Sequence, residues 1–228
     1  MEASVIGISV DNVVKHYPYL YHMAEAGSWE SIRKKGLLST SALLDLFEIN
    51  GKRRFAIESC HRPESVPIEH PRHGQAVIRD QKPMRESSLL KCLEGVTPRE
   101  WYEFLNGRVF LWATLHRVES LLNAQAYRKR EHLVLKVDAG KLLAKYQETV
   151  LLSPINSGNT LYRPVLRSIR TFRSLRTYPF EERKTKRGAA NAVAEMAFGY
   201  AIPDISRYIV RVERRRMDRV LKVVWDRG

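Results

Sequence analysis

The chain has 228 residues and 44% of them are apolar, enough for one full-sized domain with its own core and too many for wholesale disorder. Lysine and arginine total 39 against 25 aspartate and glutamate, a formal net charge of +14, which favours polyanionic partners, nucleic acid ahead of a membrane surface. No apolar run approaches the roughly 18 to 20 residues that span a bilayer, the opening residues lack a signal-peptide pattern, and Cys60 and Cys92 have no partnered spacing. These features together predict a cytoplasmic protein with reduced thiols and no membrane association.

In chain order, Trp29 to Lys35 reads as a short helix, with Ser28 as N-cap, Gly36 as its stop and Ile32 facing the core. A second helix is predicted from about Ser41 to Glu48, ended by Asn50-Gly51. Residues 52–83 hold Pro63, Pro67, Pro71 and Pro83 among histidines and arginines, and read as a long irregular basic loop. Thr97-Pro98-Arg99-Glu100 is a strong helix start, a capping box with proline in the first turn. Val109 to Ala113 reads as a buried strand, followed by a helix through Leu121, Leu122 and Ala126. His132 to Val137 is another strand, with Asp138 placed to cap a further helix, and Thr149 to Leu152 is a third. Pro154 to Asn159 is a polar turn. Residues 163–187 carry nine arginines and lysines and read as a second basic loop region. Ala192 to Phe198 and Tyr208 to Glu213 are the last predicted strands. Strands mixed irregularly with short helices indicate a single α+β domain over 1–228.

No phosphate-binding glycine loop, dinucleotide fingerprint or zinc-spaced Cys/His set occurs, so no metal is expected. Two segments stand out instead. Near the start, Tyr21-His22-Met23-Ala24 precedes SWESIRKKGLLS. Near the end, Glu195 sits inside the apolar run AVAEMAF, followed by IPDI. A carboxylate there needs a partner, a raised pKa or a ligand. A histidine beside aromatics is also a common core residue, and a strand glutamate also serves structural ion pairs. The residues alone leave both readings open.

Together the H-x-x…SI…GLLS opening and the late A-E-M-A-F…IPDI strand resemble the DarT-type DNA ADP-ribosyltransferases. The similarity covers residues 19–48 and 189–213, with a looser match at VFLW, 109–112. The opening half also resembles the wider transferase group that includes the RNA 2′-phosphotransferases. Ala24 departs from the pattern, which carries threonine two residues after the histidine.

The resemblance implies an ADP-ribosyltransferase-like α+β fold, with two facing, mainly antiparallel sheets forming an NAD cleft and short flanking helices. It implies catalytic roles for Glu195, Arg79 and His22. It also implies NAD contacts from His22 and Arg79, with Arg117 as a further phosphate contact and Arg85 as a weaker alternative to Arg79. Tyr21 is a candidate to stack on the cofactor, although an aromatic in this position is more commonly a core residue. For a nucleic-acid acceptor, Asn156 and Ser157 in the polar turn, which equally reads as an ordinary surface turn, and Arg163, Arg167, Arg170 and Arg173 in the basic stretch are the expected contacts, with Tyr162, Phe172 and Tyr178 available either to stack on bases or, equally, to anchor that stretch to the core. The implied activity is transfer of ADP-ribose from NAD to a DNA or RNA base by a toxin or defence effector with an antitoxin partner. An NAD-dependent RNA 2′-phosphotransferase, or an inactive nucleic-acid-binding protein on the same fold, are the alternatives.

Overall fold

The computed structural model describes residues 7–161 and 164–228. Its strands are β1 (Tyr19–Glu25), β2 (Leu37–Leu38), β3 (Val66–His70), β4 (Gly74–Ile78), β5 (Arg108–Trp112), β6 (His132–Asp138), β7 (Leu151–Ser153), β8 (Arg173–Ser174), β9 (Glu195–Gly199), β10 (Ala201–Ile202), β11 (Ile209–Arg216) and β12 (Arg219–Asp226). Eight of them hydrogen-bond in the order β12-β11-β6-β1-β5-β9-β7-β8, and two small ribbons, β10-β2 and β3-β4, lie apart. All strand pairs are antiparallel. The protein is therefore a mixed α/β fold built on antiparallel sheets.

The large sheet is not uniform. β1 pairs with β6 along its whole length, from Tyr19↔Asp138 to Glu25↔His132. β5 pairs equally fully with β9, from Arg108↔Gly199 to Trp112↔Glu195. Between β1 and β5 the register is a single pair, Tyr21↔Trp112. The sheet thus divides at that seam into two four-stranded halves joined at one point. Leu20, Leu135 and Val137 from one half and Leu111, Met196 and Phe198 from the other share the main core.

Local sequence explains most elements. Thr97 accepts from the Glu100 amide at 3.3 Å while Glu100 accepts from the Thr97 amide at 2.7 Å, closing the predicted capping box on helix Pro98–Asn106. Asp138 accepts from the Lys141 amide and starts helix Ala139–Tyr146. The helix Trp29–Lys35 ends at Gly36 as expected, with Ile32 buried. The Ser28 hydroxyl does not cap it, however, but donates to the Glu25 carbonyl at 2.8 Å.

Four expectations need correction. Residues 52–83 are not irregular: Asn50 precedes a new helix, Gly51–Glu58, and β3 and β4 form a hairpin. Ile68 and Ile78 turn inward onto Leu44, Phe47 and Ile57, which anchors the ribbon. Pro67 is tolerated because an isolated pair of strands leaves every second N–H outside the ladder. Residues 164–187 also hold regular elements. Helical turns at Ile169–Thr171 and Leu175–Thr177, strand β8 and helix Phe180–Arg187 follow one another, fixed by buried Phe172, Leu175, Tyr178 and Phe180. The late strand begins only at Glu195, because Ala189–Ala192 forms a short helical turn. Finally, β12 lies beyond the last predicted strand.

Gly36 joins the helix Trp29–Lys35 to the IPDI segment. Its φ is +87°, and a Cβ there would lie 2.4 Å from the Pro203 Cα. Substitution by alanine meets both backbone strain and a backbone clash. Gly36→Ala should cost well over about 1 kcal/mol of stability; a denaturant midpoint equal to wild type would show that this approach is not close.

Candidate functional site

A cavity of about 560 Å³ opens at the seam, within the ~300–1,000 Å³ range of small-molecule sites. β1 contributes His22, Met23 and Ala24, β5 contributes Phe110 and Trp112, and β9 contributes Glu195. The remaining wall comes from the helix–turn leading into β2, from the β4 end with Arg79, and from the turn at Asn156–Gly158. The lining is mostly apolar, with a few converging polar groups.

His22 and Glu195 come from the two halves of the sheet and face this one cavity. The His22 Nδ1 lies 2.8 Å from the Phe110 carbonyl oxygen, so it carries the proton and donates across the seam. Burial pushes the imidazole down to about 4, with Arg79 adding to the shift, and the ring is neutral at physiological pH. Neutrality with a protonated Nδ1 leaves Nε2 as a bare acceptor.

Glu195 is buried and stands opposite Trp112 and Ser153. Its Oε1 accepts from the Ser157 amide at 3.1 Å. Burial raises the carboxyl to about 7, against the opposing pull of Ser157 and the positive charges of Arg117 and Arg167. No ion pair neutralises it among the described residues. Near pH 7 this group can thus both hold a negative charge and exchange a proton.

Arg79 follows β4 and donates through its Nη1 to the Met23 carbonyl at 3.0 Å, tying it to the residue next to His22. Its guanidinium lies over the Tyr127 ring, 5.2 Å from the centroid, and burial lowers its pKa. The Tyr127 hydroxyl donates to Asp80 at 2.6 Å.

The chain belongs to the DUF7002 family. That family, described as a family of unknown function, matches residues 18–209, most of the chain. No curated protein matches it. The stretch shared with DUF7002 includes both His22 and Glu195 and the whole seam, and ends at the first residue of β11, before β12.

Within this DUF7002 member the other expected site residues separate into groups. Asn156 and Ser157 line the cavity, and Ser157 holds Glu195 directly. Tyr21 does not line it: the ring packs instead near Val118, Leu122 and Trp112. Arg117 also lies outside the lining and donates to Asn191 at 3.3 Å. Arg85 is exposed, away from the cavity wall. Arg167 is buried rather than displayed, and its Nη1 donates to the Ser157 carbonyl at 3.0 Å. It supports the turn that holds Glu195 and is not a surface contact. Phe172 and Tyr178 are likewise buried and unable to stack on bases. Arg170 and Arg173 are exposed, whereas Arg163 and Tyr162 lie outside the described residues.

Sequence reading missed Arg62. Its buried side chain donates to the carbonyls of Ile57 and, at 2.7 Å, Arg79, and to Asn106 Oδ1 at 3.2 Å. Burial lowers it to about 10. It fixes the loop that presents Arg79. No local pattern marks it, because its partners are scattered carbonyls. Among the described residues no cluster of three or more His, Cys, Asp and Glu is arranged to hold a metal, and no helix is long and apolar enough to cross a membrane.

Because the Glu195 pKa rises on folding from an ordinary 4.5 to about 7, folding favours its protonated form. The associated stability is complete below about 4.5 and lost as pH rises through 7, a difference of about 3 kcal/mol. Glu195→Gln keeps the shape and the acceptor for Ser157 without the charge. It should therefore melt several degrees above wild type at pH 8.5 and level with it at pH 4.5. Equal melting temperatures at both pH values would show that the carboxyl is not desolvated.

Proposed function

We propose that this protein transfers ADP-ribose from NAD to a nucleic-acid base, on an ADP-ribosyltransferase-like fold whose two half-sheets bound the NAD cleft. The observation that carries this reading is the meeting of Glu195 and His22 in one cavity at the seam. The residues present suit a dinucleotide. The His22 Nε2 is a fixed acceptor for a ribose hydroxyl. Arg79 presents a planar, multiply donating cation for a pyrophosphate. Glu195 supplies negative charge beside a ribose.

NAD, when bound, supplies a glycosidic bond whose cleavage develops positive charge on the ribose, as in other glycosyl transfers. Ionised Glu195 stabilises that charge from a preorganised, water-poor position. The same carboxylate takes the proton of the attacking base, for which a pKa near 7 is well matched. The Ser157 amide holds the Oε1 atom, and Arg167 holds Ser157 in turn. Ala24 lines the cavity without the hydroxyl its place in the pattern usually brings, so His22 is left as the ribose acceptor on β1.

Nicotinamide release from NAD tests the reading. Glu195→Gln should reduce it by about 10² to 10³ while the protein remains folded. Full activity in that variant, or no nicotinamide from wild type with DNA, RNA and protein acceptors all supplied, would refute it.

The pH dependence follows from the carboxylate. Turnover should rise with pH and reach half its plateau near 7, with no second limb from His22, which is already neutral above about 4. A rate independent of pH between 5.5 and 8.5 would remove Glu195 from the chemical step.

A further inference from the structure

Three arginines gather around Tyr178, and although Arg117 feels the charge of Glu195, none of them pairs with a carboxylate among the described residues. Helix Phe180–Arg187 pairs its outer charges internally, Glu181 with Lys184 at 3.0 Å and Glu182 with Lys186 at 2.7 Å. Arg183 and Arg187, one turn apart, are left over, on the side of the helix that buries Phe180. Arg183 lies over the Tyr178 ring, 5.6 Å from its centroid. Arg117 approaches from helix Leu115–Asn123, close enough to Arg187 for their charges to repel. Asn191 links the two, accepting from Arg117 at 3.3 Å and donating to the Arg187 carbonyl at 3.3 Å.

None of the three forms an ion pair among the described residues. The Nε atoms of Arg117 and Arg183 are moreover buried and have no hydrogen-bond partner. Buried guanidinium donors left unmatched are costly, and converging like charges add to the cost. Both penalties disappear if an anion with several acceptor oxygens lies among them. The Tyr17 and Tyr178 hydroxyls donate to the carbonyls of Ala189 and Ala192, so the segment beneath is fixed and leads directly into Glu195.

We propose that Arg117, Arg183 and Arg187 form a phosphate site, outside the cavity, that holds the backbone of the acceptor polynucleotide. The inference rests on the nucleic-acid acceptor named above and extends it by locating a docking point. Arginine suits the role because its fork matches two phosphate oxygens at once. None of the three lines the cavity, so the site is separate from the pyrophosphate contact assigned to Arg79.

The test is binding of a labelled single-stranded 15-mer, read by fluorescence anisotropy across a salt series, with no NAD present. An R183Q/R187Q variant should bind at least tenfold more weakly than wild type. Its slope of log affinity against log salt should be shallower by about 1.4, the value for two lost phosphate contacts on a single strand. A K184Q/K186Q variant removes equal charge from cations already paired and should stay within about threefold of wild type. Inorganic phosphate should compete only weakly. Equal losses in the two double variants would reduce the effect to net charge and overturn the proposal. So would unchanged binding in R183Q/R187Q, no oligonucleotide binding by wild type, or binding of free phosphate alone. Because the readout needs no turnover, an inactive Glu195 reading and a missing phosphate site give different results.

Discussion

One hydrogen bond carries the architecture of the site: the His22 imidazole donating to the Phe110 carbonyl. Where β1 and β5 diverge, backbone pairing is reduced to Tyr21↔Trp112. A strand edge left open inside a protein exposes polar groups that need partners. Here a side chain takes the place of the missing ladder. The substitution widens the gap between strands enough for a cavity and fixes the tautomer of the ring that faces it. The opening in the sheet and the orientation of its most specific acceptor thus have a common cause.

Glu195 is the counterpart from the other half. Its burial would be unfavourable as a charge, and the surroundings only partly offset this. One amide from Ser157 is direct; Arg117 and Arg167 act from a greater distance. A direct guanidinium partner would have held the carboxyl far below neutrality and made it a structural ion. Its poised state comes from the arginines being near and turned elsewhere, Arg167 toward the Ser157 carbonyl and Arg117 toward Asn191.

Much of this was legible in the sequence where local chemistry decides the outcome. Thr97-Pro98-Arg99-Glu100, Gly36 and Asp138 mark element ends by rules that operate within one turn. Glu195 was visible because a carboxylate inside an apolar strand violates a burial rule. Tyr21 was not separable in the same way: consecutive residues His22, Met23 and Ala24 all line the cavity, so strand alternation does not sort them, and only the packing of Tyr21 beside Val118 and Leu122 sets it apart. Other features depend on tertiary contacts. The hairpin of β3 and β4 was hidden by prolines and by an anchoring cluster drawn from distant helices. β12 is an exposed edge strand whose mixed charged and apolar residues give no core pattern. Charge alone could not separate buried Arg167 from exposed Arg170, because both sit in the same basic run.

The buried Arg62 has a further mechanical consequence. Its guanidinium holds the carbonyl ends of Ile57 and Arg79 and the side chain of Asn106, joining a helix, the loop after β4 and the end of another helix. Local opening of the wall bearing Arg79 would strand a cation in an apolar interior, so that wall is coupled to its neighbours and opens with them. Rigidity on this side leaves any breathing of the pocket to walls that Arg62 does not hold, among them Gly27 and Ser28, which turn into the helix Trp29–Lys35.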